Sequence, residues 1–97
     1  MMDYEFLPLA DQEMNEAARF YEERSAGLGL DFLEEVERTV ESIVAHPNSG
    51  RRISENIRRR IVRRFPFGIL YSIESDLIVI VAVAHLRRRP GYWKGRI

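Results

Sequence analysis

Residues 67–84 read Phe67-Gly68-Ile69-Leu70-Tyr71-Ser72-Ile73, then Glu74-Ser75-Asp76, then Leu77-Ile78-Val79-Ile80-Val81-Ala82-Val83-Ala84. Two strand-like runs flank three polar residues, which is the length and chemistry of a tight hairpin. The second run is apolar on both faces, so it belongs at the centre of a sheet with cover on at least one side. It is also the longest apolar run in the chain, far below the roughly 20 residues that a membrane helix needs. The fold is best read outward from this hairpin.

Upstream, Ile57, Ile61 and Phe65 recur in steps of four with Arg59 and Arg63 between them. Arg58, Arg60, Val62 and Arg64 take the other face, and Pro66 marks the turn into the hairpin. Further back the period changes. Leu33, Val36, Val40, Ile43 and Val44 form a helical stripe from about Leu30 to Ala45, with Glu34, Glu35, Glu37, Arg38 and Glu41 expected mostly in water. His46-Pro47-Asn48-Ser49-Gly50 stops this helix, because the residue before a proline resists the helical region. His46 is expected as its cap. Gly27 and Gly29 separate it from an earlier helix with Met14, Ala17, Ala18 and Tyr21 on one side. The other side carries Glu13, Glu16, Arg19 and Glu23, and Asp11 is placed to cap the first turn. Met2 to Leu9 alternates and reads as a short strand, with Pro8 at an edge or a bulge. The order is β-α-α-β-β-β. This is an α+β fold, a helical hairpin packed on one face of a mostly antiparallel four-stranded sheet.

Ninety-seven residues is the size of one small domain, taken as residues 1–97. Apolar types at 45% and charged types at 31% exclude a disordered tail. The absence of cysteine excludes a disulfide scaffold, a thiol nucleophile and any Cys-based zinc or iron–sulfur site. It fits a reducing cytoplasm. Asp3 and Glu5 stand where a signal peptide would carry basic residues. The expectation is a cytoplasmic protein with no membrane partner.

A net charge of zero conceals a sharp division. Residues 1–50 hold twelve carboxylates against Arg19, Arg24 and Arg38, a balance of −9. Residues 51–97 hold twelve cations against Glu55, Glu74 and Asp76, a balance of +9. Lys94 is the only lysine; the other eleven of those cations are arginine. If the helices turn their apolar stripes to the sheet, their acids point away from it. The arginines then gather with the C-terminal coil on one positive surface, opposite a negative helical one.

Arg51, Arg52, the run Arg58 to Arg64 and the run Arg87 to Arg89 are candidates for binding oxyanions, on nucleic acid or on an acidic protein. The alternative is a solvated edge strand whose charges prevent sheet-to-sheet association. His85 lies where the central strand gives way to the basic coil, placed either for acid–base chemistry or for holding the coil. Tyr92 and Trp93 suit stacking on bases or anchoring of the tail. Two histidines far apart, with no acid at ligand spacing, make no metal motif. With no phosphate-binding glycine loop either, neither a metal nor a cofactor is expected.

Several of these segments, taken in order, resemble a known family. They are Ile43-Val44-Ala45-His46-Pro47 after a helical pair, an arginine-rich strand, and the stretch Phe67 to Ile73. Leu77 to His85 follows, and then Arg89-Pro90-Gly91-Tyr92-Trp93. Together they resemble the RelE/ParE superfamily of toxins from type II toxin–antitoxin modules, particularly its ParE-like members. The resemblance covers essentially the whole chain. It implies a growth-inhibiting toxin bound by a cognate antitoxin, in toxin–antitoxin hetero-oligomers. One branch of the family cleaves messenger RNA on the ribosome; the other inhibits DNA gyrase without known chemistry of its own.

By this resemblance Arg87 stands near the ribonuclease branch's tail arginine and Tyr92 near its tyrosine, with Trp93 closer by spacing. Arg59 or Arg60 stands for its strand cations. Gly68 departs from that branch, which carries an arginine there, and the missing charge is worth about a few kcal/mol at a scissile phosphate. A gyrase inhibitor is therefore favoured over a ribosome-dependent mRNA endoribonuclease, and both over a plain nucleic-acid-binding module. The candidate residues are Arg87, Tyr92 and His85 for chemistry. Those for contact with target or RNA are Arg58, Arg59, Arg60, Arg63, Arg64, Arg88, Arg89 and Trp93.

Overall fold

The computed structural model describes residues 2–97. Its elements are β1 (Asp3–Phe6), α1 (Pro8–Arg24), α2 (Leu28–Ala45), β2 (Arg51–Arg52), β3 (Arg58–Ile61), β4 (Phe67–Glu74) and β5 (Leu77–His85). Short 3₁₀ turns lie at Pro47–Ser49 and Lys94–Arg96. The sheet runs β1-β5-β4-β3-β2, with β1 parallel to β5 and the other pairs antiparallel. The apolar hairpin therefore supplies the two inner strands, and both helices cover one face.

Three local expectations need correction. The sheet has five strands rather than four, because Arg51 and Arg52 pair with Arg59 and Arg58. Two residues are too few to leave an alternation in the sequence. Helix α1 starts at Pro8, so β1 ends at Phe6 rather than Leu9. Proline suits the first helical position, where its missing N–H has no intrahelical partner to lose. Leu7 thus takes the cap position expected of Asp11, which lies inside the first turn with its N–H bonded to the Leu7 carbonyl. On α2 the buried stripe is centred on Phe32, Val36, Val40 and Ile43, leaving Leu33 and Val44 half-buried. Glu35 is buried rather than in water, its carboxylate held 3.1 Å from Arg38. At the end of the helix the His46 backbone N–H bonds to the Ser42 carbonyl.

Sheet alternation divides the apolar residues into two cores. Phe67, Ile69, Tyr71, Ile78, Ile80 and Val83 face the helices with Phe32, Val36, Val40 and Ile43. Leu70, Val81, Ala82 and Ala84 face the other way and pack with Ile57 and Trp93. A bulge makes this division uneven. Leu70 pairs with Ala82 and Tyr71 with Ile80, which leaves Val81 without an opposite residue. Val81 and Ala82 consequently both lie on the outer side, as an inserted residue dictates.

Tyr71 fixes the loop after α2. Its buried hydroxyl donates to the Pro47 carbonyl at 2.7 Å and accepts from the Gly50 N–H at 3.0 Å. A Cβ on Gly50 would lie 2.5 Å from that hydroxyl, so the approach requires glycine. Tyr71→Phe orphans both backbone groups and is expected to lower stability by about 1–3 kcal/mol in urea unfolding. Among the described residues, no helix is long and apolar enough to cross a membrane.

Candidate functional site

Small residues on the outer sheet face leave room for a cleft. Leu70 and Ala84 line its floor, and Gly68 lies beside them, paired with Ala84. A Cβ at Gly68 would sit 3.0 Å from both Cγ and Cδ of Arg59, so the Arg59 stem crosses directly above this glycine. Beyond β5 the chain folds back over the same face. Gly91 takes the left-handed conformation at φ +77 that turns it, and Trp93 drops into the outer core at 6% exposure. Between floor and coil lies a cavity of about 320 Å³ lined by Arg59, His85, Arg88, Arg89, Tyr92 and Lys94, among others.

The arginine runs are divided rather than gathered. Successive strand residues point to opposite faces, so Arg59 enters the cleft while Arg58 and Arg60 turn away from it. Arg58 donates to the carbonyls of Gly50 and Asn48 at 2.9 and 3.2 Å. Arg60 donates to the hydroxyls of Ser49 and Ser42 at 2.7 and 3.1 Å. Arg64, in the turn before β4, reaches Asp31 of α2 at 3.6 Å, an exposed and therefore weak pair. Arg63 is exposed in the same turn, and neither it nor Arg87 lines the cleft. The expected single surface of arginines thus becomes a smaller cluster: Arg59, Arg88, Arg89 and Lys94. Trp93, with its ring buried, presents no open stacking face. Its role in the fold is the anchoring one.

Glu13 also overturns the expectation that helical acids point away from the cations. Strand β1 covers β5 only as far as Ile80, whose carbonyl accepts from the Leu7 N–H. Past that point the edge of β5 is open, and two charged side chains close it. The Val83 N–H donates to Glu13 Oε1 at 3.0 Å, and the Val81 carbonyl accepts from Arg96 Nη1 at 3.1 Å. The same two side chains form a fork, Nη1 to Oε1 at 2.7 Å and Nη2 to Oε2 at 2.9 Å. Tyr92 donates its hydroxyl to Glu13 Oε2 at 2.7 Å. Among the described residues, no buried side-chain nitrogen or oxygen lacks a partner. The signal for Glu13 was its spacing: it falls three after Ala10 and four before Ala17, on the apolar stripe itself.

These contacts define the chemistry at hand. Burial pushes the Tyr92 phenol up from its ordinary 10.0, and the hydrogen bond to Glu13 and that carboxylate's charge add to the shift. Its ring lies under the Arg88 guanidinium at 3.8 Å. Because the folded state holds this proton more tightly, its stabilising contribution is complete below pH 10 and declines as pH rises beyond it. An alkaline titration followed by Tyr92→Phe is expected to show that decline in the parent protein and a smaller one in the variant. His85 sits edge-on to Phe67 at 5.1 Å, and its Nδ1 accepts from the Arg87 N–H at 3.0 Å. The neutral ring therefore carries its proton on Nε2. No group of three or more His, Asp or Glu among the described residues is placed to hold a metal ion.

The fold has a known counterpart. The chain matches a solved structure described as the chromosomal ParDE toxin–antitoxin system from P. aeruginosa, with a TM-score of 0.74 and 19% identity. The match covers 88% of this chain and 96% of that one, and at such identity it speaks for the fold. No curated protein sequence matches significantly. The family model for the ParE toxin of the type II toxin–antitoxin system, parDE, matches residues 4–90. An α+β sheet carrying a helical hairpin, with a basic C-terminal coil folded over its outer face, thus belongs to the ParE toxin family of type II toxin–antitoxin systems.

Proposed function

We propose that this chain arrests growth by binding DNA gyrase through the outer cleft, and that a cognate antitoxin neutralises it. One observation carries the choice of binding over cleavage: the Tyr92 hydroxyl is already committed to Glu13. A phenol whose proton is held that firmly is a poor acid or base near neutral pH. What the cleft offers instead is four cations on a rigid frame, suited to an acidic protein surface or to phosphate.

Antitoxin binding has support elsewhere on the molecule. Among the described residues no strand pairs with the outer edge of β1, and Tyr4 on that strand is 48% exposed. Next to it runs a mostly apolar groove lined by Phe6, Met14, Leu33, Val36 and Val40, with Glu37 at its wall. An open edge beside an apolar groove suits a partner that adds a strand and lays down a helix. Toxin and antitoxin would then form a hetero-oligomer, with the cleft and this groove as separate surfaces.

The experiment is DNA supercoiling by purified gyrase with this protein in micromolar excess. Loss of supercoiling is expected; unaltered supercoiling overturns the gyrase target. A second reading, ribosome-dependent cleavage of messenger RNA, draws its support from His85 and Arg59 lining the one cleft. Message cut in a translating extract, with gyrase untouched, would establish that reading instead.

A further inference from the structure

An acid of the first helix holds the C-terminal coil through several hydrogen bonds. Glu13 accepts from Val83, Tyr92 and both terminal nitrogens of Arg96, using each carboxylate oxygen twice. Its side chain is 15% exposed and that of Arg96 is 12% exposed. Such a forked pair resists solvent and fixes orientation as well as distance. Tyr92 and Arg96 bracket Trp93 and Lys94, so the carboxylate clamps the coil from both sides of its buried indole. Arg88 rests on the Tyr92 ring, which extends the clamp to the cleft's own cations.

We propose that Glu13 is a positioning residue for the cleft: an acid that strengthens anion capture on the far side of the sheet. It touches no target itself. It places Tyr92, and through Tyr92 and the coil it places Arg88, Arg89 and Lys94 over Arg59. Oxyanion recognition by several cations depends on their convergence, because each immobilised side chain otherwise loses its own conformational freedom on binding. This role rests on the reading of the cleft as the effector surface, and it carries a sign that ordinary electrostatics does not. Removing a carboxylate makes the protein more positive by one charge. Long-range attraction would then bind an anion more tightly, whereas loss of positioning makes binding weaker.

The test is a calorimetric titration of the full chain with inorganic tripolyphosphate at fixed salt. Glu13→Gln, shown folded by circular dichroism, is expected to bind about tenfold more weakly than the parent, against the direction of its charge change. Arg96→Lys keeps the net charge but gives up the fork, and it is expected to bind severalfold more weakly. It serves where Glu13→Gln fails to fold. Binding by either variant equal to or stronger than the parent overturns the role of Glu13 and leaves the cleft standing. Absence of binding by the parent removes the cleft as an anion site, and the role of Glu13 with it. Supercoiling inhibition by the parent, measured separately, reports on the gyrase target alone.

Discussion

Phe32→Ala is expected to lower stability by about 3–5 kcal/mol, the cost of emptying a large aromatic site in a core that cannot close around it. Phe32 is fully buried on α2, and its ring lies 5.4 Å from Tyr21, 5.2 Å from Phe65 and 5.0 Å from Phe67. Those rings come from α1, from the turn before β4 and from β4 itself, so one side chain joins both helices to the sheet. The edge-to-face contacts with Phe65 and Phe67 add to the area buried. A domain of this size has about 5–15 kcal/mol in total, so the variant is expected to lose a large share of it. Urea unfolding checks this through a lower midpoint at an unchanged slope. A loss below about 1 kcal/mol would mean that the ring is not the joint described.

Trp93→Ala is expected to cost about 3–5 kcal/mol as well, with a different signature. The indole lies in the outer core with Ile57, Leu70, Val81, Ala82 and Ala84. Without it the coil loses its largest apolar anchor and is held mainly by the Glu13 clamp and the Arg96 bond to the Val81 carbonyl. Stability and anion capture should fall together, whereas Phe32→Ala should leave capture intact in the molecules that stay folded. Trp93 is the only tryptophan, so the parent's fluorescence reports directly on the coil. Its emission should shift to the red, toward that of a water-exposed indole, in Glu13→Gln if the clamp matters, and stay unmoved in Tyr71→Phe.

The inner hairpin was plain in the sequence because β4 and β5 are buried on both faces, which leaves long apolar runs. The helices were equally plain from their period. What short-range pattern does not encode was missed. Strand β2 is two residues held by pairing to β3. The start of α1 depended on whether Pro8 ends a strand or opens a helix, and both are ordinary places for proline. Alternation did separate Arg59 from Arg58 and Arg60, yet not which side would be open. That depended on a coil, folded by Trp93, whose path no local pattern describes. Glu13 reads from the sequence as one of the polar-side acids of α1, and its partner Arg96 stands 83 residues away. Only the fold brings them together.

On the proposed function, the cleft cations Arg59, Arg88, Arg89 and Lys94 are the working surface, and the other arginines belong to the frame or the solvated rim. Growth arrest on induced expression separates these most directly, comparing Arg88→Glu/Arg89→Glu with Arg63→Glu/Arg64→Glu. Both pairs are exposed and both reverse two charges, so net charge changes equally. The expected result is loss of arrest in the cleft pair and retention in the turn pair, each with antitoxin binding preserved. Equal loss in both, or arrest surviving in the cleft pair, would contradict a localised effector cleft.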